Sequence, residues 1–317
     1  MRPQCVRLLL VAEQLVIVCA LSAAVANAQS SAVAPVDLVR RAVQNEVRQN
    51  ADDHGRFMFK DQRRTAHTWQ TKLIVETREA AAGMIIEQDG HPLTPQQQQA
   101  EDARLQSYLR NPEELARKRR QEQEDAERTM KIVKALPDAF LYQADGTEPG
   151  SAGVGKPGVT LVRLKFRPNP SYDPPSREEQ VLTEMHGHVL IDTTANRIAE
   201  IDATLERQVA FGWGILGHLD RGGHFLVQQA NVNNHEWELT RMELSFTGKI
   251  FLFKSLAIHS SDVFSDFHPV PANLTFAQGV ELLHKEIAAG QAGTEKRRSQ
   301  QQTDSKPDQN TKFCWNR

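Results

Sequence analysis

At 317 residues, with 38 basic against 40 acidic side chains and a formal net charge of −2, the chain can bury a sizeable core. It lacks the basic excess of a default nucleic-acid surface. Three cysteines are too few for a disulfide scaffold.

Arg2 and Arg7 precede an apolar run from Leu8 to Ala24, and Ala26-Asn27-Ala28 places small residues before Gln29. That sequence of charge, apolar core and small exit residues reads as a secretory leader over residues 1–28, cleaved near Ala28, and a periplasmic or secreted protein. Glu13 and Gln14 interrupt the run, which argues against a retained anchor, and no other stretch is apolar for long enough to cross a bilayer. Cys5 and Cys19 leave with the leader, so the fold is expected to rest on packing with Cys314 as its remaining thiol.

The main domain is expected over residues 29–290. Val36, Val39, Val43 and Val47 recur at helical spacing and define an amphipathic opening helix. The period then changes to two. "RFMFKDQRR", "HTWQTKLIVETRE" and "AGMIIEQDG" read as three short strands, the second with Trp69, Leu73 and Val75 on one face and Gln70, Lys72 and Glu76 on the other. Residues 94–136 form a charge-dense helical hairpin broken at Asn111-Pro112. Glu101 to Lys131 carries eight acidic and eight basic residues, the balance of a solvated face, and is expected to be mostly exposed and dispensable for folding. "EPGSAGVGKPG", residues 148–158, reads as a flexible linker or long loop.

From Val159 to Ile258 short strands follow one another, with turns expected at Thr193 to Asn196, at Asn233-Asn234 and at Thr247-Gly248. Connections this short force antiparallel neighbours. "LTFAQGVELLHKEIAAG" is a closing amphipathic helix, and the polar stretch 291–317 reads as a disordered tail.

Gly212-Trp213-Gly214-Ile215-Leu216-Gly217 matches the G-x-G-x-x-G string of dinucleotide-binding turns. A phosphate cradle needs a helix to start within the glycines, whereas "HLDRGGHF" runs into another strand. The three glycines read as a bend in a curved sheet that presents Trp213, Ile215 and Leu216. His186 and His188 share a strand face and could chelate one ion, yet no third ligand stands at a metal-site spacing, and they read as wet-face residues. Asp192 and Asp202 read as turn and strand-edge carboxylates rather than an acid/base pair, and Arg117 to Arg120 are offset by neighbouring glutamates. No nucleophile motif sits in a fitting context, so neither an enzyme activity nor a cofactor is expected.

Gly187-His188-Val189-Leu190-Ile191-Asp192, followed by Arg197-Ile198 and Ile201-Asp202, resembles a hairpin segment of the periplasmic outer-membrane lipoprotein-sorting proteins, the LolA/LolB/RseB-like family. The resemblance covers roughly residues 36–92 and 159–269; the helical insert and the polar tail depart from the family pattern. It implies a curved, unclosed half-barrel sheet under a helical lid, and a lipid, an acylated protein or another apolar ligand as cargo.

The fold class expected is α+β, mainly antiparallel β, with a helical-hairpin insertion. The function expected is that of an exported, non-enzymatic carrier or sensor for an apolar ligand or lipoprotein. Its cavity wall would include Trp69, Leu73, Val75, Val162, Leu164, Phe166, Val189, Ile191, Phe211 and Trp213. Two other readings stay open: an envelope interaction module with a packed interior that meets a partner protein, and, more distantly, a metal-dependent hydrolase centred on His186 and His188.

Overall fold

The computed structural model describes residues 33–51, 55–212, 216–233, 236–250 and 254–304, the side chains of 51 and 291–304 excepted. The expected leader at 1–28, Trp213 and the tail beyond 304 lie outside the described residues.

Thirteen strands form one α+β, antiparallel sheet that does not close into a barrel. They are β1 (Arg56–Thr65), β2 (Trp69–Val75), β3 (Ala82–Gln88), β4 (His91–Pro92), β5 (Phe140–Pro149), β6 (Thr160–Pro168) and β7 (Met185–Asp192). After these come β8 (Arg197–Leu205), β9 (Val209–Phe211), β10 (Gly217–Leu219), β11 (His224–Asn231), β12 (Trp237–Ile250) and β13 (Lys254–Val270). The order across the sheet is β4-β3-β2-β1-β13-β12-β11-β8-β7-β6-β5, with β10 beside β12 and β9 beside β10. Around the glycine motif β9 and β10 pair antiparallel, with Gly217 opposite Phe211. The five residues between them leave no room for a phosphate-binding helix of useful length.

Five helices are described: α1 (Pro35–Ala51), α2 (Pro95–Arg110), α3 (Pro112–Ala139), the single turn α4 (Arg177–Gln180) and α5 (Phe276–Asp304). The break between α2 and α3 is built by one residue. Asn111 donates its N–H to Ser107 O at 2.9 Å to end α2, and its side chain accepts from the N–H groups of Glu113 and Glu114 to start α3. At the other end of α2, Thr94 and Gln97 form a reciprocal capping box, with Pro95 opening the helix.

Strand register decides which side chains share a face. Leu164 stands opposite Val189, Val189 opposite Ile201, Ile201 opposite Val227, and Val227 opposite Met242. Met242 then pairs with Asp262, Asp262 with Arg63, and Arg63 with Gln70. Gln70 alternates with Leu73 and Val75 along β2, so those two residues point to the opposite face from Leu164. Two cores result. On one face, Leu164, Phe166, Val189 and Ile191 pack under Val39 and Val43 of α1 and Leu136 of α3. On the other, Leu73, Val75 and Met84 pack under Leu105 of α2 and Phe276, Val280 and Leu283 of α5. The single wall expected from Trp69 through Ile191 is therefore corrected. Its members are divided between two faces, because face assignment depends on pairings two hundred residues apart.

Two further expectations, the turn at Thr247-Gly248 and the end of the closing helix, are revised, and two others are made more definite. The helical insert is helical and mostly exposed, as expected, and it is anchored where Leu105 is 1% exposed and α2 lies along the outer edge of β3. There, Ile85 N–H donates to Glu101 Oε2 at 2.9 Å and Arg104 Nη2 donates to Gly83 O at 2.7 Å. The glycine-rich stretch at 148–158 is a hairpin loop between β5 and β6. It is pinned by Gly155 N–H to Gln229 O at 2.8 Å and Asn231 N–H to Gly155 O at 3.1 Å. No turn forms at Thr247-Gly248, since β12 runs through both, and Gly248 is needed because a Cβ there would stand 2.0 Å from His218 O. The closing helix continues to Asp304, because Gln, Glu, Lys and Arg dominate beyond Gly290 and no proline intervenes before Pro307.

Candidate functional site

Helix α5 begins at a second reciprocal cap: Thr275 N–H donates to Gln278 Oε1 at 2.9 Å, and Gln278 N–H donates to Thr275 Oγ1. Phe276, Val280 and Leu283 then fall on one stripe and are all but fully buried against β1 to β3. Gly279 permits this approach, since a Cβ there would meet Thr77 Cγ2 at 2.6 Å. Past Leu283 the stripe thins to Ile287, followed by Ala288-Ala289-Gly290. Side chains that small cannot fill the space above the strands, and the packing stops short.

A cleft of about 520 Å³ is left between α5 and the sheet. Its floor is Met58, Leu73, Met84 and Ile86, with Leu93 and Ile287 closing it from the sides. The rim is polar: Lys60 pairs with Asp266 at 2.9 Å, and His268, Glu87 and Glu286 stand beside them. His284 Nε2 and Asp102 Oδ1, 2.8 Å apart, tie α5 to α2. An apolar floor with a few polar groups at the mouth is the arrangement that admits an amphipathic molecule tail first.

Of the residues nominated from sequence, Leu73 lines this cleft. Val75 is sealed in the core beneath it, and Trp69 lies under the Arg64 guanidinium, 4.2 Å from ring centre to charge. Leu164, Phe166, Val189 and Ile191 are packed core on the far face, with Val162 and Phe211 partly buried against it. Met58, Met84, Ile86 and Ile287 escaped sequence reasoning; the signal available was the run of small residues that follows Ile287.

The other candidate groups do not converge. His186 is exposed, while His188 Nε2 sits 2.9 Å from Glu200 Oε1, which also accepts from Gln228 through its second oxygen. These bonds hold the Glu200 carboxyl below its ordinary pKa despite its burial. Asp192 stands at a turn, in keeping with its reading as a turn carboxylate. It is 1% exposed and caps the β7–β8 turn, accepting from Thr194 N–H at 2.8 Å and Ala195 N–H at 2.9 Å. Asp202 instead meets His224 at 3.1 Å, so the two aspartates serve separate strands. Among the described residues no group of three or more metal-ligating side chains is assembled. Replacing His186 and His188 together by Ala is expected to cost about 1 kcal/mol through the lost Glu200 bond. Elemental analysis of both proteins checks this reading: stoichiometric metal lost in the double variant would contradict it.

A charged group lies at the centre of the sheet. Asp262, fully buried, pairs with Arg63, and Asp61 and Lys72 stand next to it on β1 and β2. Burial and the Asp262 charge push the Asp61 carboxyl up. Two acids against two bases balance, and the group binds β13 to β1 rather than opening onto a cavity.

A second group gathers Glu76 beyond β2, Glu236, Arg197 and Glu46 of α1 around Glu238 of β12. Arg197 Nε lies 3.1 Å from Glu46 Oε1. Burial, then repulsion from Glu76 and Glu236, drives the Glu238 carboxyl up to about 8 against an attraction from Arg197.

Comparison with family models, with curated proteins and with solved structures finds no match to this chain.

Proposed function

We propose that the chain is an exported, non-enzymatic binding protein that holds an apolar or acylated ligand in the cleft beneath α5. The observation that carries this reading is the cleft itself, a recess between α5 and the sheet whose floor is apolar and whose rim is polar. The volume lies within the range of small-molecule sites. The leader-like start and the hairpin resemblance to lipoprotein-sorting proteins support the same class of cargo and an envelope location. The alternative, an envelope interaction module with no ligand, draws its support from the solid packing of the α1 and α3 face.

A thermal titration with lauric acid, a lysophospholipid and a lipopeptide tests the proposal. Ligand that binds only the folded state adds about 2.7 kcal/mol of stability at a hundredfold excess over Kd. At least one of the three is expected to raise Tm with concentration. Ile287→Trp, which fills the cleft from the helix side, is expected to abolish the rise. No rise with any of them would favour the interaction module.

A further inference from the structure

The charges around the cleft are unequal. Among the described residues its rim carries three carboxylates, Glu87, Asp266 and Glu286, and one ammonium, Lys60. Lys60 stands opposite Leu73, and Leu73 opposite Met84, so its side chain rises from the same face as the apolar floor. Met58 pairs with His268 and Lys60 with Ser265, which leaves Phe59 facing two residues of β13, Asp266 and Phe267. This is a β-bulge, and Asp266 takes it up at φ 56°. The bulge brings the Asp266 carboxylate onto the Lys60 ammonium, 2.9 Å away.

The other two carboxylates have no cation. Glu87 accepts from Thr71 Oγ1 at 2.9 Å through one oxygen, a bond that orients the group without neutralising it. Glu286, exposed on α5 just before Ile287, makes no ion pair among the described residues. His268 is the remaining titratable group at the rim. Its protonation would still leave carboxylates in excess, three against two.

Taking the cleft as the ligand site proposed above, we infer that it selects acyl ligands with a cationic headgroup, an ammonium carried a few bonds from the chain. A chain lying on the floor of Met58, Leu73 and Met84 brings its headgroup to the rim. There Glu87 and Glu286 attract a cation and repel a carboxylate. Lys60 cannot serve an anionic head without giving up Asp266. Each such interaction at the edge of water changes affinity a few-fold, so the two together separate a cationic from an anionic head by about tenfold or more.

Thermal titrations with three probes that share one chain test this selection: lauroylcholine, monolauroylglycerol and laurate, which are cationic, neutral and anionic, each kept below its micelle concentration. Lauroylcholine is expected to give the same rise in Tm at about a tenth of the laurate concentration or less, with the glyceride between them. Added salt should narrow the gap. Glu87→Gln and Glu286→Gln should each narrow it by about threefold, since an amide keeps the shape and, at position 87, an acceptor for Thr71. Ile287→Trp should abolish the rise with all three probes. A rise with the glyceride and no preference for the cation would overturn the charge selection while leaving the cleft a ligand site. A preference that both amide variants leave intact, or that survives Ile287→Trp, would overturn it as well. No rise with any probe would overturn both the selection and the binding reading on which it rests.

Discussion

Unfolding by urea at about pH 5 and about pH 9 is expected to show a less stable protein at the higher pH, and Glu238→Gln is expected to remove most of that loss. In the unfolded chain this carboxyl ionises near 4.5; in the fold it keeps its proton until about 8. Between these values the unfolded state binds fewer protons than the folded one, so stability falls as pH rises. Below 4.5 both states hold the proton and the penalty is absent; above 8 both are ionised and it is complete. Each unit of separation is worth about 1.4 kcal/mol, so the full loss is on the order of 5 kcal/mol. Burial also raises the carboxyls of Glu46 and Glu76, which adds to the same slope. The charges facing Glu238 are Glu76, Glu236 and Glu46, with Arg197 alone opposing them. A Gln keeps the shape and removes the charge, so the variant should be the more stable protein at about pH 9. A flat profile in the parent protein would contradict the description of this buried group.

Phe276→Ala is expected to cost about 3–5 kcal/mol, the range for a large aromatic lost from a packed core. Phe276 is 1% exposed, meets Tyr108 of α2 edge-on at 5.8 Å between ring centres, and is the first anchor of α5 on the sheet. Its loss loosens the helix that covers the cleft, so ligand-induced stabilisation should disappear along with the stability. Leu283→Ala, about two turns further on and fully buried, should lie at about 2–5 kcal/mol. Calorimetry on both variants checks the order. Losses below about 1 kcal/mol would mean that α5 is not held by this stripe.

Local chemistry was legible. The Asn111-Pro112 break places the boundary between α2 and α3 correctly, because caps act within four residues of where they are written. The turn at 193–196 also stands where its composition puts it, with Asn196 at φ 50° and Asp192 accepting from its backbone. What escaped was set by distant pairings. Gly248 looks like a turn residue in sequence; it is a strand residue kept small by the backbone of β10. Trp69, Leu73 and Val75 show the same alternation as Val162, Leu164 and Phe166, and only the chain of registers through β13 and β12 reveals that the two sets face opposite ways. The candidate site was legible in one residue, Leu73. The rest of the cleft is created where Ile287 and Gly290 stand over strands some two hundred residues earlier, a juxtaposition that depends on distant pairing.

Native mass spectrometry of the protein isolated from the cells that make it tests the binding proposal most directly. The account predicts a non-covalent adduct with the mass of an acyl-chain compound, present in the parent protein and missing from Ile287→Trp prepared in the same way. A bare polypeptide mass in both preparations, with no adduct restored on incubation with lipid extract, would contradict it.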